Sequence, residues 1–249
     1  MNNIDLEQLI NDTLQIQLYK DFAPNGLQVE GKKTVRKIVT GVTACQLLLD
    51  EAVRLNADAI LVHHGYFWNN EPVTITGIKY KRLKTLLTHN INLYGYHLPL
   101  DGHAELGNNV LLADKLGIVV DERKDITDLL FKGSFSQSIS PLQLKSRIEM
   151  TLNHSVLFCG DNAPNVIKRV AWCSGGGQDY IEEAALLGFD AFITGEVSER
   201  TIHIAREYGI NFYAAGHHAT ERYGIEALGQ WLAQYHNLDV TFVDIDNPA

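Results

Sequence analysis

The chain of 249 residues is long enough for one large domain or for two of ordinary size. Its hydrophobic fraction of 45% and charged fraction of 20% are typical of a globular protein and exclude a disordered one. The formal net charge of -9 argues against a broadly basic surface for nucleic acid, although a local basic patch remains compatible with it.

The cysteines and the N-terminal sequence indicate the compartment. Cys45, Cys159 and Cys173 lie far apart and form no CxxC pair, so they favour a reducing cytoplasm over a disulfide framework. The first residues lack the basic and apolar regions of a signal peptide, and no apolar run is long enough to span a bilayer. We therefore expect a cytoplasmic protein with no membrane partner.

Helical and strand-like patterns alternate along the first half of the chain. Helical periodicity is clear from the apolar positions, and turn residues such as Pro24-Asn25-Gly26 separate the elements. The patterns predict helices over 4–18, 46–55, 76–89 and 108–116, strands over 35–42, 58–62 and 91–96, and a loop at 98–101. This alternation predicts an α/β protein with a parallel, layered sheet.

An internal repeat relates the two halves of the sequence. Any two βαβ units resemble each other to some degree, which is the alternative explanation. A duplication predicts two related α/β lobes with a metal site between them. The segment 35–39 resembles 166–170, 51–61 resembles 183–193, and 91–94 resembles 210–213. The corresponding division is 1–120 for the first lobe, 121–165 for an intervening segment and 166–249 for the second lobe, unless the chain forms one compact unit.

Two adjacent histidines end the most apolar strand of the first half. The run 59–62 leads directly into His63-His64-Gly65, and its apolar character indicates a strand buried on both faces. Ligands of open α/β sheets bind outside the carboxyl ends of the strands. We interpret His63 and His64 as metal ligands, although a histidine pair at a strand end is as often structural.

The repeat places a histidine and a carboxylate four residues apart after equivalent strands, as His97 and Asp101 and as His217 and Glu221. Residues at this spacing on a helix share one face, as paired ligands do in helical zinc sites. His97 has the alternative role of supporting the site through a hydrogen bond. His218 lacks the spacing and is expected beside the site or at the surface.

The candidate ligands are His63, His64, Asp101, His217 and Glu221. Imidazole and carboxylate together suit zinc, iron, manganese or cobalt. Five ligands are too many for one catalytic ion and too few to enclose two, so two ions sharing them would keep positions for water. Two ions roughly 3.5–4 Å apart generate hydroxide at neutral pH and stabilise an oxyanion.

Further residues are candidates for the functional site, and each of them also has a purely structural interpretation. Glu196 occupies the repeat position of His64, where it would be a general base or a substrate contact, or simply a helix cap. The glycine run 174–177 would cradle a phosphate or form a plain tight turn. Substrate contact or surface placement is open for the basic residues Lys79, Lys81, Arg82, Arg200 and Arg222.

Five motifs together resemble the GTP cyclohydrolase 1 type 2 family, also called NGG-one-interacting-factor-three-like proteins. The resemblance covers essentially the whole chain. The motifs are Pro24-Asn25-Gly26-Leu27-Gln28-Val29, Val62-His63-His64-Gly65, His97-Leu98-Pro99-Leu100-Asp101, Thr194-Gly195-Glu196 and Gly216-His217-His218-Ala219-Thr220-Glu221-Arg222. The resemblance implies two divalent metal ions per subunit on the five ligands already named, two related α/β lobes and a ring-shaped homohexamer. The segment 121–161 would be the least constrained part.

The family name implies that the chain opens the imidazole ring of GTP and releases formate, through hydroxide attack on C8 of the purine. A family does not fix a substrate, so the general expectation is a metal-dependent hydrolase that acts on a nucleotide-like molecule. The alternatives are a metal-dependent phosphoesterase or damaged-nucleotide hydrolase, and a non-enzymatic, ring-shaped interaction or regulatory protein. Nucleic-acid binding is a weaker variant of the latter.

Overall fold

The computed structural model describes residues 1–249, which form nine α-helices, eleven strands in two sheets and two short 3₁₀ helices. The helices are α1 (Asn3–Leu14), α2 (Gln46–Arg54), α3 (Gly77–His89), α4 (Leu98–Gly102), α5 (Asn108–Leu116), α6 (Pro141–Leu152), α7 (Ile181–Leu186), α8 (Glu199–Tyr208) and α9 (His217–His236). The strands are β1 (Gly26–Val29), β2 (Lys37–Thr43), β3 (Ala59–His64), β4 (Asn92–Gly95), β5 (Ile118–Val120), β6 (Phe131–Ile139), β7 (Leu157–Cys159), β8 (Ile167–Cys173), β9 (Ala191–Thr194), β10 (Asn211–Ala214) and β11 (Asp239–Phe242). No helix has both the length and the apolar character that crossing a membrane requires.

The chain divides into two compact units whose boundaries differ from the expected 1–120, 121–165 and 166–249. The first unit is Met1–Leu100 with Gly224–Asp246, and the second is Asp101–Tyr223 with Asn247–Ala249. The C-terminal strand β11 belongs to the first unit because it pairs in parallel with β2. The intervening segment is part of the second unit because β6 pairs with β8 and β7 pairs with β10.

The sheet of the first unit has the strand order β1-β4-β3-β2-β11. Strands β11, β2, β3 and β4 are parallel neighbours, and the edge strand β1 runs antiparallel to β4. The residues Ala59 to His63 of β3 are all buried, as expected for a central strand covered on both faces. In the hydrophobic core of the first unit, apolar side chains of α2, such as Leu48 and Leu49, pack with Ile60 and Val62 of β3.

The sheet of the second unit has the order β5-β6-β8-β9-β10-β7. Only β8, β9 and β10 are parallel; β5, β6 and β7 pair antiparallel to their neighbours. The expectation of a parallel sheet is therefore corrected to mixed sheets in both units. Helices α7 and α8 link the parallel strands β8, β9 and β10 as crossovers, whereas β5 runs directly into β6, and strands joined without a helical crossover can pair antiparallel.

The duplication appears in a polar arrangement that each unit builds for itself. The Asp58 carboxylate accepts hydrogen bonds from two backbone amides at the start of β2 at 3.0 and 3.1 Å, and Asp190 accepts two from the start of β8 at 2.9 and 2.8 Å. The Asn92 side chain donates to the Asp58 carbonyl at 3.1 Å, and Asn211 donates to the Asp190 carbonyl at 3.0 Å. The two lobes thus tie three successive strands together with the same Asp and Asn.

Two predicted elements are corrected. The loop expected at 98–101 is the short helix α4, and the amide of Leu98 at its start donates to the distant Asp21 carboxylate at 2.9 Å. The helix expected over 4–18 ends at Leu14, because Gln15 adopts a left-handed conformation with φ of 52° and a 3₁₀ turn follows. The local pattern of apolar residues predicts neither the short helix α4 nor the end of α1 at Leu14.

Candidate metal centre

Three imidazoles of the first unit cluster at the ends of neighbouring parallel strands. His63 and His64 end β3, and His97 follows β4 by two residues. The ring centroids lie 4.5 Å apart for His63 and His64, 5.2 Å for His63 and His97, and 5.8 Å for His64 and His97. One nitrogen from each ring lies within 4.8 Å of the others, a spacing that suits ligation of a metal ion.

Hydrogen bonds at Nδ1 orient the two strand-end imidazoles. His63 Nδ1 lies 2.9 Å from the Tyr96 carbonyl oxygen, and His64 Nδ1 lies 3.1 Å from Thr43 Oγ1. A carbonyl only accepts, so His63 carries its proton on Nδ1 and its lone pair on Nε2. This arrangement is typical of histidines that bind metal through Nε2 while the other nitrogen is held by an oxygen.

His97 is held by a carboxylate that sequence reasoning did not select. Its Nδ1 lies 2.6 Å from Asp21 Oδ1, and Asn25 donates to Asp21 Oδ2 at 2.9 Å. Burial raises the pKa of Asp21, but the hydrogen bonds and the His97 charge lower it below its usual value overall, so the carboxylate is ionised at neutral pH. Asp21 and His97 are 76 positions apart, so no spacing signals the pair.

The Gln28 side chain packs against two glycines near the imidazole cluster. Gln28 Oε1 accepts from the amide of Tyr66 at 2.7 Å, and its Nε2 donates to the Pro24 carbonyl at 2.8 Å. A Cβ at Gly65 or at Gly95 would overlap this side chain. The glycine after the histidine pair therefore permits a close approach of the backbone that any larger residue would prevent.

Asp101, His217 and Glu221 form a second cluster, which lies in the second unit. His217 is the first residue of α9, and its Nε2 lies 3.0 Å from Glu221 Oε2 one helical turn later. The predicted shared face is thereby confirmed for this pair. The carboxylates of Asp101 and Glu221 have ligand oxygens within 4.8 Å of each other, although these side chains are only 5% and 3% exposed.

The Asp101 carboxylate is positioned by residues that the sequence analysis missed. Asn108 Nδ2 and Ser174 Oγ donate to Asp101 Oδ1 at 2.9 and 3.1 Å. The side chain of Asn109 connects the Asp101 carbonyl, at 3.3 Å, with the amide of Ser174, at 2.8 Å. Both asparagines are fully buried, and two adjacent asparagines at the start of an apolar helix are the signal that would have indicated them.

The charge state of His217 reflects the surrounding carboxylates. Burial lowers the pKa of His217, but hydrogen bonds and charge from Glu221 and Glu196 raise it to about 9 overall. Glu196 Oε1 lies 2.6 Å from His217 Nδ1, so it orients the ring. Its alternative role as a helix cap is not seen, because Ser198 caps α8. A divalent cation at this cluster would take the place of the proton on His217.

The glycine run packs against the carboxylate of Glu221. Gly175 has a φ of +59°, and a Cβ there would overlap Glu221 Oε1 and lie 2.9 Å from His217 Nε2. Its amide donates to Thr220 Oγ1 at 2.9 Å. At Gly176, by contrast, an added Cβ would meet nothing closer than 3.8 Å. The run is therefore a wall of this cluster rather than a simple turn.

The basic candidates occupy different surroundings. Arg200 pairs with Asp179 at 2.5 Å on the surface, and Arg222 donates to the Leu152 carbonyl at 2.5 Å. Lys81 is exposed. Lys79 and Arg82 line a cavity in the first unit.

The donor set of both clusters suits a first-row divalent metal. Imidazole nitrogens and carboxylate oxygens together are ligands for zinc, iron, manganese or cobalt, whereas calcium prefers oxygen alone. The nearby Cys173 adds no thiolate, because burial and the charges of Asp101 and Glu221 raise its pKa well above the usual value. The residues present therefore fit a metal.

Comparison with known proteins gives full-length matches. The Duf34/NIF3 (NGG1p interacting factor 3) family model matches residues 1–248. A protein of Yersinia pestis named GTP cyclohydrolase 1 type 2 homolog is 62% identical over 249 residues, with both chains covered completely. The solved structure of protein ybgI, described as of unknown function, is 61% identical with a TM-score of 0.97. A crystal structure from Thermus thermophilus is 33% identical with a TM-score of 0.90. Each of the two alignments covers this chain and the matched chain completely.

Proposed function

The chain belongs to the Duf34/NIF3 family, and from this membership and its two clusters we infer that it is a metal-dependent hydrolase. We propose that His63, His64, Asp101, His217 and Glu221 together hold two divalent ions, zinc, iron, manganese or cobalt. The observation that carries the proposal is that hydrogen bonds already orient the ligand side chains. Oxygen atoms hold Nδ1 of His63 and His64, and the Asn108 amide and the Ser174 hydroxyl donate to Asp101. Second partners of this kind are characteristic of metal ligands. Bound ions would supply Lewis acidity and an activated water at neutral pH.

Two further residues handle protons or orient ligands in this proposal. The ionised Asp21 keeps a proton on Nδ1 of His97, which gives Nε2 of that ring the lone pair of a general base and, once protonated, the proton of a general acid. Glu196 accepts from Nδ1 of His217 and so fixes the direction of its Nε2. His97 is accordingly assigned to proton transfer and Glu196 to the support of His217.

The proposed substrate is a nucleotide-like molecule. The relatives at 57–62% identity bear the name GTP cyclohydrolase 1 type 2 homolog, which supports hydrolytic opening of the GTP imidazole ring with release of formate as the first reaction to test. The same ligand chemistry also serves phosphoester hydrolysis, so phosphodiesters and modified nucleotides are the second substrate class.

The function is tested by metal analysis and by formate release from GTP. We expect about two ions per chain in protein purified without chelator, and loss of at least one ion with an activity decrease of about a hundredfold or more in His63→Ala and in His217→Ala. The matched control is His89→Ala, at the exposed end of α3, which should retain both.

Unchanged metal content in both ligand variants would refute the proposed centre. Metal-loaded protein that releases no formate with any of the four metals would remove GTP as the substrate. A screen of phosphodiesters and modified nucleotides would then decide whether hydrolysis stands at all, and failure there would favour a scaffold or regulatory role.

We also propose the ring-shaped homohexamer that the family resemblance implies. Large apolar side chains are exposed on the single chain, including Val73 at 91% and Met150 at 77%, and assembly would cover a part of such surface. The mass in solution tests this assembly.

A further inference from the structure

A cavity of about 250 Å³ lies within the first unit, beside the loop that follows His63 and His64. The loop 65–76 forms one wall, and the start of α3 forms the other. Its polar lining consists of Glu71, Thr74, Thr76, Lys79 and Arg82. The cavity is large enough for a phosphate group or a short polyphosphate, and it carries none of the imidazoles of the metal clusters.

Arg82 is the unusual residue of this cavity. Its side chain is half-buried, and its Nε is fully buried with no hydrogen-bond partner. Its guanidinium carbon lies 6.0 Å from the centroid of the Tyr66 ring, and it forms no ion pair. Some other arginines form ion pairs, such as Arg54 with Glu51 at 2.8 Å and Arg206 with Asp161 at 2.7 Å. No acceptor in the chain binds this guanidinium, so its donors are available to an anionic ligand in the cavity.

The charges of the lining also favour an anion. The one carboxylate, Glu71, accepts from the Phe67 amide at 3.1 Å and lies 3.6 Å from Lys79 Nζ. Lys79 therefore opposes Glu71, and the charge of Arg82 remains in excess. This local positive charge stands in a chain whose formal net charge is -9. The first turn of α3 adds to it, since it contains no acidic residue and the Thr76 side chain does not cap it.

The loop that forms the cavity wall also reaches the imidazole cluster. The Trp68 ring lies 4.8 Å from the His97 ring and 6.0 Å from the His64 ring, measured between centroids. A few residues later, Thr74 and Thr76 provide hydroxyl groups at the cavity. A molecule held in the cavity by one end would therefore lie next to the loop that contacts the histidines.

We propose that this cavity binds the phosphate group of the substrate, with Arg82 as the principal contact and Lys79, Thr74 and Thr76 as additional donors. Arginine binds phosphate through two parallel N–H donors, and the half-buried Arg82 guanidinium has no acceptor in the chain. The identity of the ligand as a substrate phosphate rests on the proposed hydrolase function; the binding of phosphate itself does not. Arg82 would then set specificity for phosphorylated over unphosphorylated molecules.

Isothermal titration of the full-length protein, as purified, with inorganic pyrophosphate tests the proposal. We expect Arg82→Gln to weaken binding tenfold or more, because a charge-assisted pair is lost. Arg82→Lys should give an intermediate loss, since it keeps the charge without the fork. The control Arg54→Gln removes the same charge from a side chain that is 67% exposed, and should stay within twofold of the wild type.

Four outcomes are informative. Binding within twofold of the wild type in Arg82→Gln would overturn the proposal, as would absence of pyrophosphate binding in the wild type. Circular dichroism identifies a variant that fails to fold, and Lys79→Gln, expected to weaken binding severalfold, then replaces it as the test. Metal content is measured in every sample: if no metal is bound but Arg82→Gln still weakens pyrophosphate, the hydrolase proposal fails while the phosphate site stands.

Discussion

At the scale of single residues, the carboxylate cluster depends on a position with no side chain. Glu221 is 3% exposed, and the backbone of Gly175 occupies the space beside its Oε1. A left-handed φ of +59° is strained for any residue with a Cβ, by about 1–2 kcal/mol. Glycine here therefore satisfies a conformational and a steric requirement at once.

Substitution of this glycine should disturb the proposed metal site. Gly175→Ala should reduce metal occupancy and lower the melting temperature, because the new methyl group displaces the Glu221 carboxylate. Metal analysis and thermal unfolding measure the two effects. Gly176→Ala is the matched control: it should behave like the wild type, since its Cβ would have open space to 3.8 Å. Equal metal content in the two variants would contradict this role of Gly175.

The residue scale also shows which site residues a sequence reveals. His217 and Glu221 are one helical turn apart, so their pairing follows from periodicity and was predicted. Asp21 reaches His97 across 76 positions, and Ser174 reaches Asp101 across 73. Such contacts depend on the path of the whole chain, so local spacing does not contain them.

At the scale of elements, Asp58 links the starts of two neighbouring strands. It directly precedes β3, and its carboxylate binds the backbone at the start of β2. Its carboxylate accepts from two amides of the β2 start and from Lys32 Nζ at 2.7 Å, and the side chain is 17% exposed. Burial raises the pKa of Asp58, but the hydrogen bonds from Lys32 and the two amides lower it below 3.8 overall. The ionised carboxylate is therefore more favourable in the folded state than in the unfolded state.

Asp58→Asn should lower the free energy of unfolding at pH 7 by roughly 1.5–3 kcal/mol, because hydrogen bonds to a charged acceptor are lost. The folded pKa is the lower one, so this stabilisation is present above pH 3.8 and is lost as the pH falls through the folded value. Urea unfolding from pH 7 downward should show a constant difference between wild type and variant that shrinks only below pH 3.8.

Asp239→Asn provides the control for that measurement. Asp239 lies on β11 of the same sheet, is 65% exposed and is 3.8 Å from Lys37, so its loss should change the free energy of unfolding by less than about 0.5 kcal/mol. Equal effects of the two substitutions would show that the hydrogen bonds of the Asp58 carboxylate add no stability beyond that of an exposed ion pair.

At the scale of the whole molecule, the sequence predicted the α/β class and the duplication but not the division of the chain. Strand β3 was recognisable because it begins with the continuous apolar run Ala59-Ile60-Leu61-Val62, and β2 and β4 because each contains β-branched or aromatic residues between turn and helical patterns. The pairing of β11 with β2 joins positions about 200 residues apart, and no local pattern indicates it. The antiparallel pairing in the second sheet was not predicted for a related reason: the periodicity of apolar residues indicates which positions are buried and not the direction of the neighbouring strand.

Assembly is the property of the whole molecule that remains to be measured. In the proposed homohexamer, sedimentation at micromolar protein should give one species of six times 27.8 kDa. Because each chain carries a formal charge of -9, association brings like charges together, and the hexamer should be more stable at 0.15 M salt (about an 8 Å Debye length) than at about 0.01 M salt. A hexamer that persists unchanged at both would indicate an interface dominated by apolar contacts such as exposed Val73 would supply. A species of one or two chains under all conditions would refute the ring.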